Sequence, residues 1–143
     1  MIENYEKFEK IKGQGLILLL SNIYIDPDGL YLFVYHAFKE GHYKKIGRIT
    51  VRPGESSNTK YMGNIGYAIS KKHRGNGYAA LCCTLIFQIL KENEVKEVFI
   101  TTNINNIPSI KTCEKLQGHK IGVVDPPKGL KGEGRKFVYK FTL

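Results

Sequence analysis

The stretch S-K-K-H-R-G-N-G-Y-A, residues 70–79, decides how the rest of the chain is read. It follows an alternating segment, N-I-G-Y-A-I-S at 64–70, and opens an apolar run free of proline and further glycine to about Asn93. In that run Tyr78, Leu81, Leu85 and Ile89 recur at helical spacing, with Cys82, Ile86 and Leu90 beside them. Apolar residues cover most of the circumference, which predicts a helix buried on more than one side. Strand, glycine turn and helix together make a general anion seat. The first helical N–H groups have no partner within the helix, the macrodipole favours negative charge there, and glycine lets a phosphate approach the backbone. Lys71, Lys72, His73 and Arg74 add positive charge. An ordinary turn before a helix has the same appearance, and G-x-G alone does not separate the two. Two phosphate motifs are excluded: no G-x-x-x-x-G-K-[ST] occurs, and G-x-G-x-x-G is not met because position 80 is Ala.

Outward from this point, L-I-L-L-L-S-N-I-Y-I at 16–25 and L-Y-L-F-V-Y-H-A-F at 30–38 read as strands joined by the turn D-P-D-G at 26–29. K-I-G-R-I-T-V at 45–51 reads as a third strand, and R-P-G-E-S-S-N-T-K-Y-M-G at 52–63 as a polar loop. Residues 3–12 read as a short helix without a cap at its start. On the C-terminal side, 97–102 is β-branched and strand-like, and Pro108 suits the first turn of a second helix over about 107–116, ending near Gly118. Strands at 120–124 and 136–143 flank a loop at 125–135 rich in proline, glycine and positive charge. With no repeat and no linker, residues 1–143 are expected to form a single domain. The order strands, helix, strand, helix, strands implies a mixed α/β (α+β) sheet with two main helices.

The composition, 42% apolar over 143 residues, is that of a globular chain able to bury a core without disulfides or metal. No run approaches the roughly 18 apolar residues of a membrane span. Glu3, Glu6 and Glu9 deny the N-terminus a secretory character, so the cytoplasm is the expected location. The three cysteines, Cys82, Cys83 and Cys113, fit neither a disulfide framework nor a zinc spacing, so no metal site is expected, and Cys82 and Cys83 are expected to be buried thiols. The net charge of +9 is uneven: residues 1–30 sum to −2, leaving +11 for the remainder. That excess invites an anionic partner, either nucleic acid or a polyanionic cofactor.

R-G-N-G-Y-A at 74–79 resembles the R-x-x-G-x-[GA] motif of the GNAT superfamily of N-acetyltransferases. N-N-I-P-S-I-K-T-C-E-K-L-Q-G at 105–118 resembles that superfamily's next helix, with a helix and a strand between the two blocks. The segments I-G-R-I-T-V-R and G-N-I-G-Y-A-I resemble its central strands, so the likeness covers about residues 45–119. The resemblance implies a mixed, mostly antiparallel central sheet and acetyl-CoA as cofactor. It implies a pyrophosphate on the backbone N–H groups of Gly75, Asn76, Gly77, Tyr78 and Ala79, with Arg74 opening the motif. A pantetheine arm would run along Ile69, and Asn106 would reach the cofactor from the second helix. The implied reaction is acetyl transfer to a primary amine of a small molecule or protein, by direct attack in a ternary complex, with a backbone N–H near Ile69 serving the oxyanion.

The chain departs from the family at two places. Many members carry a tyrosine immediately before the E-K-x-G segment, where this chain has Cys113. Serine at the N-x-x-S position resembles the branch acting on ribosomal-protein N-termini, and here it is Ser109. Ser109 is therefore the first candidate for contacting or protonating the leaving thiolate, and Cys113, with an ordinary thiol pKa of about 8.5, is the second. His36, His42, His73, His119, Glu55 or a water could take the amine's proton, and no base is assigned. The family also inserts helices between its first two strands to shape the amine site, whereas D-P-D-G joins them directly here. The acceptor pocket is then open, completed by a partner subunit as in a homodimer, or formed by the loops at 52–62 and 125–135. Two other functions stand beside the enzyme: a non-catalytic acyl-CoA-binding or sensing domain of the same fold, and a basic nucleic-acid-binding module. The last lacks an RNP-like or helix-turn-helix pattern.

Overall fold

The alternating segments on either side of D-P-D-G pair as a long antiparallel hairpin, strands β2 (Leu16–Ile25) and β3 (Tyr31–Lys39), in the computed structural model. The structure describes residues 6–128 and 134–143. Before β2, the expected helix over 3–12 is reduced to one turn, α1 (Glu6–Glu9), and Lys10–Gly13 form a strand, β1, paired with β2. Residues 3–5 of that expectation lie outside the described residues. The reason is the turn that follows: Gln14 and Gly15 both take positive φ, 54° and 77°, the two-residue turn whose twist suits a tight hairpin. Ile11 then faces the core at 5% exposure while Lys10 and Lys12 face out.

Next come β4 (Lys45–Val51), a short helix α2 (Thr59–Met62) and β5 (Ile65–Ile69), then the long helix α3 (Tyr78–Glu92). The chain ends with β6 (Glu97–Asn103), α4 (Ile107–Lys115), β7 (His119–Val124) and β8 (Lys136–Thr142). The polar loop expected at 52–63 thus contains a helical turn, one that buries Thr59 and Tyr61. The strands form two antiparallel sheets, ordered β1-β2-β3-β4-β5 and β6-β8-β7. They meet at the head of β5, where the Asn64 amide donates to the Phe99 carbonyl at 2.7 Å and the Phe99 amide donates to Asn64 Oδ1 at 2.7 Å. Beyond that clasp β5 and β6 share no ladder. The central sheet is therefore split, and the opening lies along β5.

Helix α3 packs its buried residues Cys82, Cys83, Leu85, Ile86 and Leu90 into one core with Leu18, Tyr35 and Ile49 of the larger sheet and Val98 and Ile100 of the smaller. Each such side chain removed from water contributes roughly 1.5–3 kcal/mol, which ties the helix to both sheets. Helix α4 ends with Gln117, not glycine, in the left-handed region (φ 63°), and Gly118 N–H donates to the Cys113 carbonyl at 2.9 Å. Gly118 is required for a different reason: a Cβ there would stand 2.5 Å from Phe141 Cζ. Among the described residues no helix is long and apolar enough to cross a membrane, and no three metal-ligating side chains gather.

Candidate functional site

Peptide groups alternate in direction along a strand, and β5 shows which face the opening. Arg52 N–H donates to the Asn64 carbonyl and Ser70 N–H to the Ile46 carbonyl, at 2.6 and 2.8 Å. In the register Ile49↔Tyr67 and Gly47↔Ile69, the even-numbered residues of β5 thus turn toward β4. The peptide groups of Tyr67 and Ile69 turn away from it, into the gap left by the split sheet.

After Ile69 the chain makes a single 3₁₀ turn, Lys71–His73, and then bends through Gly75 and Gly77, with φ of 84° and 75°. Side-chain-bearing residues avoid these angles, so both positions call for glycine. Gly77 caps α3 with no side-chain hydrogen bond. The amides of Gly75, Asn76, Gly77, Tyr78 and Ala79 donate to no backbone or side-chain acceptor among the described residues. Five free donors at the positive end of a 15-residue helix form a seat for an anion. A Cβ on Gly75 would meet nothing within 4 Å, whereas one on Gly77 would lie 3.0 Å from Lys115 Nζ, so the ammonium from the end of α4 overhangs the turn.

A cleft of about 660 Å³ runs from this turn along β5 to α4, lined by Tyr67, Ile69, Arg74, Tyr78, Asn106 and Ser109 among others. Gly75, Gly77 and Ala79 line it too. The sequence-predicted residues Ile69, Arg74, Gly75, Gly77, Tyr78, Ala79, Asn106 and Ser109 therefore share one cavity. Asn76 offers its backbone only, since its side-chain amide closes the turn on the His73 carbonyl at 3.0 Å. Arg74 Nε donates to the Ile69 carbonyl at 2.9 Å, laying the guanidinium stem across the cleft mouth.

On α4 the cap is Asn106, whose Oδ1 accepts from Ser109 N–H at 3.2 Å, with Pro108 in the first turn. That leaves the Ser109 hydroxyl free of capping duty. It meets the Tyr67 hydroxyl at 2.8 Å. Burial, then the nearby Cys113, pushes the Tyr67 phenol up. Tyr67 is thus a neutral phenol at any physiological pH. Cys113 departs from expectation. It is fully buried, it does not line the cleft, and burial pushes its thiol up to about 11. A core thiol under Tyr67 and Ser109 does not reach a group held in the cleft. Cys82 and Cys83 are likewise buried and free.

Of the candidate bases, only His73 lines the cleft; Glu55 is exposed in the 52–62 loop, and His36, His42 and His119 lie elsewhere. Two residues escaped the sequence reading, Tyr67 and Lys115. Tyr67 was legible as the residue two before Ile69 on the same strand face; nothing in the sequence alone brings Lys115 back to Gly77. Outside the cleft lining, the 52–62 loop is fastened by side chains. Arg52 Nε pairs with Asp26 Oδ2 at 2.6 Å with both side chains nearly buried, and Ser56 Oγ donates to Asp28 Oδ2 at 2.8 Å. Tyr61 donates to the Gly134 carbonyl at 2.8 Å, bringing together the two loops expected to border an acceptor. Residues 129–133 of the second loop lie outside the described residues.

A family model for the acetyltransferase (GNAT) domain matches residues 8–119. Comparison with curated protein sequences gives no match. Among solved structures, a GNAT-family acetyltransferase from Bacillus anthracis superposes with a TM-score of 0.72 at 15% identity, over 93% of this chain and 98% of that one. RimL, a ribosomal L7/L12 alpha-N-protein acetyltransferase, superposes with a TM-score of 0.70 at 14% identity, over 94% and 98% of the two chains. MccE, a microcin C7 self-immunity acetyltransferase solved with acetyl-CoA and AMP, gives a TM-score of 0.64 at 16% identity over 78% of this chain, which spans 61% of the length of MccE. At such identities these likenesses are of fold.

Proposed function

The chain belongs to the GNAT acetyltransferase family, whose donor is acetyl-CoA, and we propose that it is an N-acetyltransferase acting on a primary amine by direct attack in a ternary complex. One observation carries this: Gly75, Gly77, Tyr78 and Ala79, with their free amides, and Ser109 line one cleft, along which the exposed peptide groups of β5 run. The residues present fit the donor. The amides in and just after the turn made by the two left-handed glycines would hold a pyrophosphate, with Lys115 supplying a further positive charge. The outward peptide groups of Tyr67 and Ile69 accept an amide-bearing arm as a strand edge would, once Arg74 yields the Ile69 carbonyl. Asn106 lines the same wall.

Bound acetyl-CoA supplies an activated acyl group, and the remaining chemistry belongs to the chain. The Ile69 N–H, turned into the opening, donates to negative charge developing on the acetyl oxygen. Ser109 holds a hydrogen at Oγ for the departing sulfur. The acceptor enters beside the 52–62 loop and residues 134–135, next to the D-P-D-G turn, and is a small amine or a protein N-terminus of the kind RimL is named for.

A second reading is favoured by one feature, the buried Cys113 where many relatives place a tyrosine: an acyl-CoA sensor of the same fold that binds without turnover. Release of free thiol from acetyl-CoA, followed colorimetrically over a panel of polyamines, aminoglycosides and peptides with free N-termini, separates the two. Amine-dependent release is expected. Binding of acetyl-CoA with no release on any amine would leave the sensor.

A further inference from the structure

Three serine and threonine hydroxyls lie on the two main helices, and they behave differently. Thr84 Oγ1 donates to the Ala80 carbonyl at 3.0 Å, and Thr112 Oγ1 donates to the Pro108 carbonyl at 3.0 Å. Both give their hydrogens back to their own helix, four residues earlier, as serine and threonine commonly do. Ser109 does not. Its hydroxyl is taken by the Tyr67 hydroxyl, 2.8 Å away on β5.

A hydroxyl carries one hydrogen and two lone pairs. If Ser109 donated to Tyr67, its hydrogen would point to the strand and nothing would be left for the cleft. If Tyr67 donates to Ser109, the serine hydrogen is released into the cleft that Ser109 lines. The surroundings select the second arrangement. Burial keeps the phenol protonated, and its hydroxyl also reaches the Ser109 carbonyl, which can only accept, at 3.4 Å, so the phenol hydrogen lies on the Ser109 side, where Oγ at 2.8 Å is the nearer acceptor. Tyr67 is itself held from two sides, its strand paired with β4 and its ring packed against the core, so its hydroxyl is a fixed point against which Ser109 is turned.

We propose that Tyr67 is a positioning residue for the thioester: its hydroxyl donates to Ser109 Oγ and thereby aims the Ser109 O–H at the sulfur of the acyl donor. The proposal rests on the acetyltransferase reading and adds to it a residue on another element. The protons balance. As the C–N bond forms and the C–S bond breaks, the electron pair stays on sulfur, where the Ser109 hydrogen stabilises it. The proton lost by the amine ends on that sulfur, and Tyr67 and Ser109 finish with the protons they began with.

The test needs no acceptor. CoA is bound to the protein, and its thiol is titrated by the ultraviolet absorbance of the thiolate, with the desulfo-CoA complex subtracted. In the wild type the bound thiol is expected to ionise about one pH unit lower than in Tyr67→Phe, the scale of one charge-assisted hydrogen bond. Ser109→Ala is expected to match Tyr67→Phe, and the double variant to add nothing further. The proposal is overturned if Tyr67→Phe binds CoA normally and its thiol titrates like the wild type. It is also overturned if Tyr67→Phe loses CoA affinity tenfold or more, which would make the hydroxyl part of the cleft wall. Absence of CoA binding by the wild type in calorimetry would instead sink the donor site itself, and the proposal with it.

Discussion

The two sides of β5 are built by different means. Toward its C-terminal end, the anion seat is main chain: two left-handed glycines, a helix start and a strand edge, all within residues 65–79. Toward its N-terminal end, the region around the 52–62 loop is held by side chains from distant parts of the chain. Asp26 reaches Arg52, Asp28 reaches Ser56, and Tyr61 reaches Gly134, across as many as 73 residues. A donor site made of amides changes little when side chains drift, whereas a side-chain-fastened surface can be rebuilt for a new acceptor. That division suits a fixed donor and an acceptor that can change.

If the two sides are independent, damage to one should spare the other. The largest effect is expected from Arg52→Ala, which strands Asp26, whose side chain is only 7% exposed, without its partner. Breaking such a pair costs about 3 kcal/mol. Urea unfolding should show that loss, while calorimetry of the folded variant gives an unchanged CoA affinity; a parallel fall in affinity would join the two regions into one. A smaller effect is expected from Tyr61→Phe, which removes the bond to the Gly134 carbonyl and costs about 1 kcal/mol. Its signature in turnover should be a raised KM for the amine with no change for acetyl-CoA. A raised KM for acetyl-CoA would move Tyr61 to the donor side.

The same division explains what the sequence disclosed. The glycine turn, the helix it opens and the Asn106–Ser109 block are local patterns, and each appears in the fold within a residue or two of its expected place. Strand β4, at 45–51, has the expected bounds because its alternation is uninterrupted. Strand β1 was hidden because Gln14 occupies a left-handed position usually announced by glycine or asparagine. The end of α4 was misleading in a similar way: Gly118 marked the place, but for its contact with Phe141, and Gln117 bears the turn. Helix α2 was hidden because its buried anchors, Thr59 and Tyr61, are set by contacts far along the chain. The site shows the same limit. Cys113 stood at the right place in a motif, yet its direction into the core is a tertiary fact. The meeting of Tyr67 with Ser109 joins residues 42 apart, which no local pattern announces.

The central claim, that the turn at 75–79 holds the anionic part of acetyl-CoA, is tested most directly by thermal unfolding of the wild type and Gly77→Glu with and without the cofactor. The variant starts lower, since a side chain at φ 75° costs about 1–2 kcal/mol. At a hundredfold excess over Kd, the wild type should gain about 2.7 kcal/mol and a higher Tm, and Gly77→Glu should gain nothing. No shift in the wild type, or an equal shift in both proteins, would contradict the claim.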